Sequence, residues 1–167
     1  FRSEYRNRLS NNITGELFEC GPFNQDVPGT AMGFWLPSPS PETPPMDPSA
    51  AYADEWETMW LYQSNTNPSI HIIKVGNNAF GLEYGDYQFA TVSEGLVNRK
   101  WDSVKPGEIY CAEFEKAEDE VSELKIEKIL IMSLSLDGMS LTVEAASSEK
   151  CGDGPWAFQG GERTFYR

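Results

Sequence analysis

The chain is poor in positive charge: 13 Lys and Arg stand against 26 Asp and Glu, for a net charge of -13. A polyanion repels phosphate, so neither nucleic acid nor an anionic membrane surface is expected as a partner. Long apolar runs are missing too. None approaches the ~20 residues needed to cross a bilayer, so no membrane span is expected. No signal peptide is read, and a start at Phe1 rather than Met leads to the expectation of a mature or trimmed form. There is 1 histidine, His71, and 3 cysteines, Cys20, Cys111 and Cys151, none in a Cys-x-x-Cys pair. That set cannot complete a Cys/His zinc site. Dinucleotide-binding glycines, a phosphate loop, a Gly-x-Ser-x-Gly elbow and a metalloprotease helix are also absent, which argues against the common enzyme classes.

What is present is pattern. From Leu124 to Leu136 the even positions are apolar (Leu124, Ile126, Leu130, Met132, Leu134, Leu136), broken by Lys128. After Asp137-Gly138 the odd positions take over, with Met139, Leu141, Val143 and Ala145. A period of two means strand, and a two-residue Asp-Gly link predicts a tight hairpin with Leu136 opposite Met139. Both apolar rows then share one face, which must pack against something.

Further strands are predicted at 13–19, 30–36, 56–63, 69–75, 79–84, 87–92, 108–114, 140–146 and 164–167, separated by Gly-, Asn- and Pro-containing turns. The expected fold is all-β, an antiparallel meander closing into a barrel of about eight to ten strands, with a β-sandwich as the alternative. Aromatics at 13% suit such an interior. The chain divides into an N-terminal arm, 1–12, carrying Arg2, Arg6 and Arg8, and a single β domain, 13–167. A Pro-rich loop at 37–48 holds six of the 11 prolines; it is extended and unfit for a central strand. The acidic run from Glu115 to Glu123 reads as a charged loop, with a short helix as the other possibility.

Chemistry is thinly signalled. His71 lies in a predicted strand with no Ser, Cys or Asp spaced to recruit it, so a structural role is expected. The acidic clusters lack the calcium-loop spacing. No metal or cofactor is expected, and a carboxylate-pair hydrolase is the weakest of three readings. Asn12-Ile13-Thr14 fits a glycosylation sequon. One disulfide with a leftover thiol, or three reduced thiols, are both open. A single bridge is favoured, with Cys111 in a strand and Cys151 in a Gly-rich loop.

Gly33-Phe34-Trp35 resembles the Gly-x-Trp that opens the first strand of lipocalins and related calycins. The closing Arg163-Thr-Phe-Tyr-Arg167 is similar to their last strand. The resemblance implies a ligand-holding barrel in which Arg163 or Arg167 stacks across Trp35 at the base. The Pro-rich insertion after Trp35 departs from that pattern. A second resemblance, to exported bacterial proteins of unassigned function, rests on Asp26-Val-Pro-Gly-Thr, Gly95-Leu-Val-Asn-Arg99, Ile109-Tyr-Cys111 and Cys151-Gly-x-Gly-Pro-Trp156. It implies export and a Cys111–Cys151 bridge. The leading expectation is a non-enzymatic exported protein that binds a small apolar or aromatic ligand at the barrel mouth, through Trp60, Tyr84, Phe89 and Tyr110. The alternative is a structural or interaction subunit of an extracellular assembly, self-associating through the arm and the Pro-rich tract.

Overall fold

The computed structural model describes residues 27–37, 58–76, 79–118 and 122–167. The N-terminal arm, the strand expected at 13–19, Cys20, the sequon and nearly all of the Pro-rich loop lie outside the described residues. Nine strands are described: β1 Gly33–Trp35, β2 Met59–Gln63, β3 Ile70–Val75, β4 Gly85–Ala90, β5 Ile109–Ala112, β6 Lys116–Glu118, β7 Lys128–Leu134, β8 Ser140–Ser147 and β9 Arg163–Tyr166. Every pairing between these strands is antiparallel. One sheet has the order β1-β2-β3-β4-β6 and the other β5-β7-β8-β9.

The fold is all-β, but among the described residues the ladders do not form the closed barrel expected from sequence. The outer strands are too short to close it: β1 has three residues and β9 four. A single bridge, Leu36 to Tyr166, joins those two edges. On the other side the chain itself passes between sheets, from β5 into β6, where the Glu115 amide donates to the Gln88 carbonyl at 2.8 Å.

Period two decides what each sheet buries. In the first sheet Met59, Leu61 and Gln63 of β2 face Val75, Ile73 and His71 of β3, and all six are buried. Trp60 and Tyr62 point to the other face, opposite Lys74 and Ile72. In the second sheet Leu130, Met132 and Leu134 pair with Ala145, Val143 and Leu141. This inward row meets the first sheet in one core, whose largest fully buried side chains are Trp35, Trp101, Phe89 and Phe165. Two odd positions of β7 are buried as well. Ile129 and Ile131 form a second cluster with Cys111 and Cys151, on which Trp156 and Phe158 pack. β7 is therefore covered on both faces.

The β7–β8 register is the one a two-residue turn would set, with Leu134 opposite Leu141. The tip differs. Leu136 and Met139 leave the ladder and are 88% and 50% exposed, rather than meeting on the apolar face. Polar groups open the turn: the Asp137 carboxylate accepts from Ser135 Oγ at 2.6 Å and from the Met139 amide at 3.0 Å.

Two more expectations are corrected. The strand expected at 79–84 is instead a short 3-10 turn, Ala79–Gly81, because Phe80 and Gly81 have positive φ of 45° and 89° and cannot continue an extended path. Within the acidic run, Lys116–Glu118 forms β6, since Ala117 faces the core and Glu118 pairs with Asp86.

Candidate functional site

At one end of the core Arg167, after β9, is tied to β1 and to the segment that leads into it. Arg167 places its guanidinium 4.3 Å from the centre of the Trp35 ring. Its Nη atoms donate to the carbonyls of Val27, Thr30 and Met32, each at 2.9 Å. The indole is fixed in turn, Nε1 donating to the Ala31 carbonyl at 2.8 Å. Arg163 lies exposed at the start of β9 and takes no part in this stack. Gly33 stands opposite Leu61 in the β1–β2 ladder.

The four aromatics expected to line a mouth do not converge. Trp60 lies on the outer face of the first sheet, edge-to-face with Phe34 at 6.2 Å. Tyr84 is half-buried, with the Lys74 ammonium 5.4 Å from its ring. Phe89 is fully buried against Trp101, at 4.8 Å. Tyr110 is buried and committed elsewhere: its hydroxyl donates to Glu108 at 2.6 Å and accepts from the Lys105 amide at 3.0 Å. Side chains fill the space between the sheets where an interior ligand would sit.

His71 belongs to that filling. It is wholly buried between Phe89 and Trp101. Its Nδ1 accepts from the Trp101 amide at 3.2 Å, which leaves the proton of the neutral ring on Nε2. Nε2 has no hydrogen-bond partner among the described residues. Burial pushes its pKa down to about 4, against the opposing pull of Asp102 and with help from Lys100.

A different place offers room. The chain after β8 folds back over the outer face of the second sheet, and a groove of about 600 Å³ remains between them. Ile129, Ile131 and Ala146 form its floor, with the Trp156 indole beside them and Ser147, Lys150 and Gln159 along the rim. Three tethers hold the covering segment. Cys111 and Cys151 are disulfide-bonded, with Cα atoms 6.0 Å apart. Trp156 Nε1 donates to the Cys151 carbonyl at 2.6 Å. The buried Glu144 carboxylate accepts from the amides of Gln159 at 2.7 Å and Gly161 at 3.0 Å. A buried carboxylate needs such donors, and here backbone amides supply them. Neither Trp156 nor Glu144 is among the ligand residues expected from sequence. The available signal was an acid inside an alternating strand, followed by a Gly-rich return.

The groove can hold an uncharged molecule with an apolar face. Among the described residues no group of three or more His, Cys, Asp or Glu could hold a metal ion, and no helix is long and apolar enough to cross a membrane. No family model, curated protein or solved structure matches the chain.

Proposed function

We propose that the chain is an exported, non-enzymatic binding protein of lipocalin-like design, holding a small apolar or aromatic ligand in the groove beside Trp156 rather than in a central mouth. The observation that carries this reading is the groove itself, whose volume falls in the range of small-molecule sites. The lipocalin-like reading is supported by the Arg167–Trp35 stack and by the Leu36–Tyr166 bridge between the two sheets. Export is supported by the disulfide, since such bonds persist in oxidising compartments. Strong negative charge disfavours anionic ligands, so N-phenyl-1-naphthylamine, which is uncharged, is a suitable fluorescent probe. It is expected to bind saturably, and Trp156→Ala to weaken it about tenfold or more, equivalent to ~1.4 kcal/mol. Unchanged binding by a folded Trp156→Ala protein refutes the assignment.

A second reading, an interaction subunit, is favoured by the apolar hairpin tip. Leu136 and Met139 stand exposed where polar turn residues are usual. Light scattering across a concentration series, with Leu136→Glu as control, tests it: a wild type that stays monomeric at millimolar concentration removes self-association.

A further inference from the structure

The 3-10 turn Ala79–Gly81 crosses to the second sheet at a gap in its wall. β9 pairs with β8 only from Ser140 to Val143, so the β8 residues from Glu144 onward have no β9 partner. The turn covers this stretch: a Cβ on Gly81 would lie 3.8 Å from that of Ala145. Phe80, just before it, drives its ring into the core, edge-to-face with Phe165 at 5.5 Å and 89°. Its backbone takes φ 45° and ψ 26°, a left-handed conformation rare for a bulky residue. From outside, the turn is tethered by the Lys128 ammonium, which donates to the Gly81 carbonyl. Beside it lies a small cavity of about 80 Å³, lined by Leu82, Tyr87 and Ile126 and, towards solvent, by the charged Glu83, Lys125 and Glu127.

We propose that Phe80 is a removable plug, and that the place of its phenyl ring against Phe165 is a binding site for a neutral, single-ring aromatic molecule. The site is distinct from the groove. Strain of this kind persists where the surroundings impose it, and withdrawal of Phe80 releases it. A ring of the same size recovers the edge-to-face contact that Phe80 gives up. A charged ligand would lose its hydration with no counter-charge shown at the ring. Access depends on the fraction of molecules with the turn open, so apparent affinity scales with that fraction.

The test uses fluorobenzene, followed by fluorine NMR. Wild type is expected to bind it saturably. Gly81→Cys with Ala145→Cys, in a Cys20→Ser background, locks the turn by a disulfide, for which the 3.8 Å Cβ spacing is suitable. The oxidised form is expected to bind at least about tenfold more weakly, with affinity recovered once mild reductant opens the new bond and mass spectrometry shows the buried Cys111–Cys151 bridge intact. Lys128→Met leaves the core untouched and is expected to raise apparent affinity severalfold. It decides the matter where the double-cysteine variant fails to fold. Absence of fluorobenzene binding in wild type, equal binding in locked and reduced forms, or unchanged affinity in Lys128→Met overturns the proposal. Loss of binding in Trp156→Ala with none in the locked form overturns it as well, and places the probe in the groove.

Discussion

Acid should destabilise this fold through one residue, His71. Its ring is fully buried and its Nδ1 is occupied by the Trp101 amide, so the native state holds it neutral. The folded pKa is about 4, below the ordinary 6.5 of the unfolded chain. A lowered folded pKa means that the unfolded chain binds the proton first as pH falls. The stabilisation is then complete above pH ~6.5 and is lost between ~6.5 and ~4. Between pH 8 and pH 5 the loss is about 2 kcal/mol, approaching ~3 kcal/mol at pH 4. The charged groups acting on the ring are Asp102, which favours the proton, and Lys100, which opposes it; Gln63 and Phe89, its neighbours on β2 and β4, carry none. His71→Asn keeps an acceptor for the Trp101 amide but cannot titrate. Urea unfolding of both proteins at pH 7.5, 6, 5 and 4.5 isolates the effect, because changes in surface carboxylates are common to the pair. Wild type should lose about 2 kcal/mol more than His71→Asn over the range to pH 5. Parallel curves would refute a neutral buried histidine, and with it the packing of the Trp101 turn on β3.

Four other perturbations have calculable outcomes. Replacing Cys111 and Cys151 by Ser opens a loop with a sequence separation of 40; chain entropy puts the cost at about 4 kcal/mol, read by guanidinium unfolding with and without the bridge. Arg167→Lys loses the planar fork that reaches three carbonyls while stacking on Trp35, and should cost about 2 kcal/mol and red-shift indole emission; an unchanged midpoint would show the stack to be ornamental. Gly138→Ala combines a φ of +70° with a Cβ only 2.8 Å from Gly29 Cα; a loss of about 2 kcal/mol in thermal unfolding is expected, against ~0.5 kcal/mol or less for Leu136→Glu two residues away. Glu144→Ala leaves the Gln159 and Gly161 amides without their acceptor; it should lower stability by about 1–3 kcal/mol and remove naphthylamine binding together.

Most of the described strands, and the register of the β7–β8 hairpin, are legible in the sequence, because period two is imposed by the pleat and turns have characteristic residues. The β7–β8 pairing follows from Leu134 and Leu141 flanking Asp137-Gly138. The tip was misjudged because Ser135 and Asp137 satisfy each other and the Met139 amide, and a turn so stabilised need not hold Leu136 against Met139. Closure was misjudged for another reason. Barrel formation depends on how many residues the end strands pair, and nothing in Gly33-Phe-Trp35 or Arg163-Thr-Phe-Tyr166 announces that a single bridge is all they share. The dispersed aromatics follow from the same periodicity that found the strands. In β4 Phe89 faces inward with Tyr87, while Trp60 of β2 is one residue out of phase with the inward Met59 and Leu61. Residues near in sequence, and alike in chemistry, fell on opposite sides of a sheet.

The groove was illegible because it is made by a loop, not by a strand pattern, yet β7 carries its imprint. A strand covered on one face alternates; a strand covered on both is continuously apolar. Ile129-Leu-Ile-Met132 is of the second kind, and all four residues are buried. The inward pair, Leu130 and Met132, serves the main core; the outward pair, Ile129 and Ile131, requires a second cover, which the segment from Cys151 to Phe158 provides. The break at Lys128 marks where double burial stops: its ammonium leaves the strand to reach the Gly81 carbonyl on the Phe80 turn. The two candidate ligand sites therefore lie on opposite faces of the β7–β8 ladder, one under a disulfide-tethered loop and one behind a lysine-tethered turn. The disulfide ties the groove's cover to β5, whereas the plug is held by the packing of Phe80 on Phe165 and, at the surface, by the Lys128 hydrogen bond. Solution conditions that weaken surface polar contacts, such as raised salt, should open the plug site while leaving the groove unchanged.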